Sequence, residues 1–197
     1  MKLILTILIS AVFSALQTLS ANNIPVVDDF NSYTSGPVIG HGGWFDRENG
    51  SIFTIDSVLT YEGAKAVNVS NTTAFGIITK TGTAYSDGYQ SFYFFPENIS
   101  GWSSPISFQL GIYQDSWDGP SRSVMSFRSD GHAYHSGQFE FGTFQENAWN
   151  LAEIEWREVD ASARYQVNNG GWTDWTPFTG GGSFTHFDTV GISAIHL

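Results

Sequence analysis

The chain has 197 residues, no cysteine and a formal net charge of −11, from 19 acidic residues against 8 lysines and arginines. So acidic a surface repels nucleic acid and anionic membranes, and a chain of this length without disulfides must bury its own core. Aromatics at 16% together with 21 glycines describe short pleated strands joined by tight turns, and no segment shows a sustained helical period.

Met1 and Lys2 precede an apolar run from Leu3 to Phe13, about half the length that a membrane-spanning helix needs. With TLSA ending at Ala21, residues 1–21 read as a secretory signal peptide and residues 22–197 as one exported domain. Cleavage after Ser14 and an uncleaved anchor are the alternatives. No second apolar run follows, so no transmembrane segment is expected once the leader is removed, and the protein is expected to be secreted or held at the cell surface. Asn49, Asn68, Asn71 and Asn98 head Asn-x-Ser/Thr motifs and mark surface loops.

Strand alternation recurs along the rest of the chain. It runs through Tyr89 to Phe95, through Ile106, Phe108, Leu110 and Ile112, through Phe139 and Phe141, through Ile154 and Trp156, and through Ala163, Tyr165 and Val167. Turn signals separate these runs at Ser86 to Gly88, Trp117 to Pro120, Ser129 to Gly131 and Asn168 to Gly171. Gly180 to Gly182 read as a flexible connection. Evenly spaced short strands of this kind predict an all-β, two-sheet antiparallel jelly-roll sandwich. Trp44, Trp149 and Trp156 are expected to pack in the core or at its edge.

Three segments carry a resemblance: the opening VVDDFNSYTSGPVIGHGGW, the late NAWNLAEIEWREVDASARYQVNNGG, and the terminal FDTVGISAI. They resemble the concanavalin A-like lectin/glucanase superfamily, specifically its LamG-like jelly rolls, over nearly all of the mature chain. The superfamily holds lectins, carbohydrate-binding modules, glucanases and polysaccharide lyases, so the fold does not choose among them. For the glucanase branch the resemblance implies an E-x-D-x-x-E strand, to which Glu153, Glu155 and Glu158 are a near match with Glu in place of the central Asp. A retaining hydrolase needs two such carboxyls about 5 Å apart. For the lyase branch it implies a proton-transferring tyrosine in F-x-x-G-x-Y-x-Q, which places Tyr113 and Gln114, with His132 or His135 as base. The lyase branch's arginine-rich strand and Q-I-H triplet are missing. The resemblance also implies a structural Ca²⁺ held by an acidic pair at the first strand, Asp28 and Asp29, with Asp188 on the last; the alternative is that Asp29 starts a strand and Asp188 caps a turn.

The residues themselves favour binding. Sugars present apolar faces and rings of hydroxyls, so a site needs flat aromatic rings beside carboxylates, amides or arginine. The loop YQDSWDGPSR supplies Tyr113, Gln114, Asp115, Trp117, Asp118 and Arg122, and GGWTDW supplies Trp172, Asp174 and Trp175. Trp102 is a weaker candidate. The expectation is a secreted jelly-roll module that binds a neutral glycan without catalysis of its own. A polysaccharide-degrading enzyme and a structural or adhesion module with a protein partner are the two alternatives.

Overall fold

The computed structural model describes residues 26, 28–58, 60, 64–69, 75–97, 99–101, 106–136, 138–180 and 182–194. The expected signal peptide at 1–21, Trp102, Asn71 and Asn98 lie outside them. Among the described residues, regular structure is strand apart from two single-turn 3₁₀ segments, Gly50–Ile52 and Ile99–Gly101.

In chain order the strands are β1 (Gly36–Pro37), β2 (Trp44–Glu48), β3 (Phe53–Asp56), β4 (Ala66–Val69), β5 (Gly76–Tyr85), β6 (Gly88–Phe94), β7 (Ile106–Tyr113), β8 (Arg122–Arg128), β9 (His132–His135), β10 (Phe139–Thr143), β11 (Asn150–Arg157), β12 (Ser162–Val167), β13 (Thr176–Pro177) and β14 (Phe187–Ala194). They form a seven-stranded front sheet in the order β10-β9-β8-β7-β14-β5-β2, a four-stranded back sheet β13-β12-β11-β6, and a small side sheet β1-β3-β4. Every pairing is antiparallel. The chain is an all-β sandwich of the jelly-roll class, as the alternation predicted.

Alternation decides which side chains meet between the sheets. From the front sheet, Ile78, Leu110, Ile112, Met125, Phe127, Ala133, Val190 and Ala194 point inward; Ala152, Ile154, Trp156, Ala163, Tyr165 and Val167 of the back sheet face them. Phe127 stacks on Phe108 and tilts against Phe94, both at 4.5 Å between centroids. The buried hydroxyls of Ser123 and Tyr165 hydrogen-bond across the layers at 2.7 Å, and burial pushes the Tyr165 phenol up to about 12. Trp44 and Trp156 are buried in this core, whereas Trp149 is half-buried with its ring edge-on to Phe95.

Before β1 the chain is tied down by one carboxylate. Asp28 accepts hydrogen bonds from Lys80 Nζ at 2.8 Å, the Tyr33 hydroxyl at 2.7 Å, Trp44 Nε1 at 2.8 Å and the Phe30 amide at 2.9 Å. Burial alone would raise its pKa, but these donors, Lys80 foremost, hold the carboxyl below its ordinary value. Asp29 accepts the Asn31 amide at 3.0 Å in the same loop, so neither aspartate lies in a strand.

Candidate functional site

The loop between β7 and β8 carries most of the sequence candidates, and it is built against the segment leading into β14. Gln114 N–H donates to the Ser121 carbonyl at 3.0 Å, which closes the loop at its base. The Gln114 side chain is buried, and its Oε1 accepts the Thr185 amide at 3.2 Å. Arg122 and Thr179 exchange backbone hydrogen bonds at 2.9 and 3.0 Å. Asp115, held at φ 63°, donates its amide to Asp188 Oδ1 at 3.0 Å. Two loops distant in sequence thus form one rim at the shared end of β7, β8 and β14.

Three ionisable groups meet on that rim. His186 Nε2 lies 3.3 Å from Asp115 Oδ1 and 3.9 Å from Asp188 Oδ2, while its Nδ1 lies 2.9 Å from Thr185 Oγ1. A protonated imidazole would offset one of the two carboxylate charges. The same three ligand atoms lie within 4.8 Å of one another and could also converge on a cation, although the imidazole suits transition metals better than calcium. Asp28 and Asp29 do not join this group. Asp28 is already surrounded by four donors, so of the residues the resemblance implied for Ca²⁺ only Asp188 lies here. His186 was missed in the sequence. Its one signal is the His-x-Asp spacing with Asp188, which places both on one side of an extended chain, whereas Asp115 arrives only through the loop.

Trp117 and Tyr113 are stacked on the outer face of the front sheet. Alternation along β7 turns Leu110 and Ile112 inward and Gly111 and Tyr113 outward. Tyr113 folds back over Gly111, and Trp117 lies over it with centroids 4.6 Å apart at 33°. This arrangement needs two facing glycines. Gly111 and Gly191 are directly paired across β7 and β14, and a Cβ at either would come within 2.6 to 2.9 Å of the Tyr113 or Trp117 ring. Tyr113 is fully buried, its hydroxyl finds no hydrogen-bond partner among the described residues, and burial raises its pKa, opposed by Arg122 across the strand pair. Trp117 is half-buried, and Asp115, Asp118 and Arg122 around it are exposed.

The other candidates lie elsewhere. Trp172 and Trp175 sit on the outer face of the back sheet, on the opposite side of the sandwich from Trp117. Trp175 lies over Arg157 at 4.0 Å and Arg164 at 4.8 Å, and Trp172 over Arg164 at 4.8 Å with its edge toward Tyr89. Asp174 between them is exposed. Glu153 and Glu155 point outward from β11 beneath these rings, both committed: Glu153, almost fully buried, accepts from the Tyr89 hydroxyl and Gln166 Nε2, and Glu155 pairs with Arg164. Glu158 lies in the turn after β11 and does not extend their row. His135 faces the core, with its ring stacked on Tyr165 at 4.5 Å. It is therefore on the opposite face of the front sheet from Tyr113, while His132 faces outward and pairs with Glu140.

No family model matches the chain, and no curated protein does either. Among solved structures it is similar to a sialidase, at 13% identity and a TM-score of 0.61 over 87% of this chain. It is also similar to the carbohydrate binding module CBM66 from Bacillus subtilis, at 10% identity and 0.45 over 78% of this chain and 88% of that one. A third is the globular domain of T. cruzi calreticulin, at 8% and 0.47 over 83% and 82%. The chain spans only 15% of the sialidase's length, and a likeness at 13% identity is one of fold.

Proposed function

We propose that this chain is a secreted, glycan-binding jelly-roll module of the concanavalin A-like, LamG-like kind, without catalysis of its own, and that it reads its ligand at the rim bearing Trp117. The observation that carries the reading is the setting of that indole. It is half-exposed and tilted against Tyr113 at 4.6 Å, and its loop and the start of β8 carry the exposed side chains of Asp115, Asp118 and Arg122. A flat ring takes the apolar face of a pyranose, while carboxylates accept and guanidinium donates hydrogen bonds to its hydroxyls. The rim is preorganised by the hydrogen bonds that lock Gln114, Asp115 and Arg122, which lowers the ordering cost of binding. The CBM66 and sialidase names among the solved structures agree with a carbohydrate ligand.

Native affinity electrophoresis through gels containing a panel of polysaccharides tests this. Retardation by one polymer, lost in Trp117→Ala and leaving the polymer intact, is the expected result. Clearing of the polymer would instead make the protein a polysaccharide-degrading enzyme. Absence of any retardation would favour the adhesion reading with a protein partner.

A further inference from the structure

The outer face of the front sheet continues past Trp117. Strand register lays out a row of directly opposed residues across it, Phe45 on β2, Thr79 on β5, Gly191 on β14, Gly111 on β7 and Val124 on β8. The two glycines are where the Tyr113 and Trp117 rings lie. Two strands further along the row, or about 10 Å at the usual strand spacing, a groove of about 290 Å³ opens at the sheet edge, lined by Phe45, Asp46, Arg47, Thr79 and Thr81. Phe45 is 61% exposed, one of the large apolar side chains the molecule leaves to solvent.

The groove also holds a rare feature for so acidic a chain. Among the described residues most cations are engaged: Lys65 with the Tyr33 carbonyl, Lys80 with Asp28, Arg128 with the Tyr134 ring, Arg157 with Asp160, and Arg164 with Glu155. Arg47 is exposed and has none of these partners; of the two carboxylates flanking it, Asp46 accepts the Gly50 amide on Oδ1 at 2.8 Å and Glu48 is exposed. Thr81 contributes an exposed hydroxyl that also reaches Thr189 Oγ1 at 3.0 Å, and buried Thr79 forms the floor.

The geometry points to this groove as a subsite for an acidic sugar residue, with Phe45 against its apolar face, Arg47 on its carboxylate and Thr81 on a hydroxyl. The inference rests on the glycan-binding reading above and sharpens it: the rim carboxylates suit uncharged sugars, and the neighbouring groove selects a uronic-type residue in the same chain. At physiological salt charges beyond about 8 Å are largely screened, so the overall negative charge opposes an anion in the groove chiefly through the neighbouring Asp46 and Glu48.

The test measures retardation of the full protein by polygalacturonate, alginate and hyaluronan and by the carboxyl-reduced form of each. Arg47→Gln is expected to weaken retention by an acidic polymer about tenfold, the loss of one charge-assisted contact, and to leave retention by its reduced form unchanged. Phe45→Ala should weaken both. Arg47 is exposed, and an unchanged melting temperature excludes misfolding. Unchanged retention of every acidic polymer in Arg47→Gln, or preference of the wild type for the reduced forms, overturns the subsite. If Trp117→Ala still abolishes binding in that case, the glycan reading stands while the subsite falls; if no polymer is retained by the wild type, both fall.

Discussion

Single residues at the rim are fixed by space as much as by chemistry. Gly191 has the rings of Tyr113 and Trp117 where its side chain would be. Gly191→Ala should therefore lift Trp117 off the sheet and cost about 1 to 3 kcal/mol, visible as a lowered melting temperature with a red-shifted indole emission. His135 shows the same rule inside the core. It is buried against Tyr165, Phe139 and Phe141, its Nδ1 has no hydrogen-bond partner among the described residues, and burial lowers its pKa from the ordinary 6.5. The neutral ring is thus the folded form. Above 6.5 nothing is lost; as pH falls from 6.5 through the lowered folded value, the unfolded chain takes up a proton that the folded chain refuses, and stability drops. His135→Phe is expected to flatten the decline in melting temperature between pH 7 and 5; an unaltered slope would assign that decline to other groups.

At the scale of elements, the structure is held where strands alone would not suffice. The described residues before β1 form no strand, and Asp28 anchors them to Lys80 on β5 and Trp44 on β2. Asp28→Ala leaves Lys80 largely buried without its counter-ion, an expected loss of about 3 kcal/mol in urea unfolding. Because its pKa is held below 3.8, the same contribution in the wild type is present above that pH and fades as pH falls through the lowered value. On the back sheet, Arg164 lies under both Trp172 and Trp175 and pairs with Glu155. Arg164→Ala should cost about 1 to 2 kcal/mol and release the segment from β12 to β13, measured as faster amide exchange at residues 170–176. Aromatic residues flanked by acids in a loop look alike in sequence. The partner beneath separates them: Tyr113 and paired glycines under Trp117, arginines under Trp172 and Trp175.

For the whole molecule the acidic balance is the dominant long-range effect. A net charge of −11 repels itself in the compact state. Raising salt from 10 to 150 mM shortens the Debye length from about 30 to about 8 Å and should raise the melting temperature by about 2 to 4 °C, for roughly 1 kcal/mol of relieved repulsion. A fall on adding salt would mean that the ion pairs, Asp28 with Lys80 above all, outweigh the repulsion.

Alternation of apolar side chains at period two determined the strands, and composition determined the fold class, because each strand buries one face locally whatever its neighbours are. Ile106 to Tyr113 could be read that way without coordinates. The loop bearing Trp117 was likewise legible, since an indole between aspartates and a Gly-Pro turn cannot be buried cheaply. Register across the sheets was not legible, because pairing partners lie up to more than a hundred residues apart, as with Thr81 and Thr189. Only the tertiary structure could bring His186 to Asp115, separate Asp28 from Asp188, put Tyr113 and His135 on opposite faces, and set Phe45 and Arg47 beside the rim. Local sequence sets which way each side chain points; which strand lies next to it is decided by the one packing that closes the core.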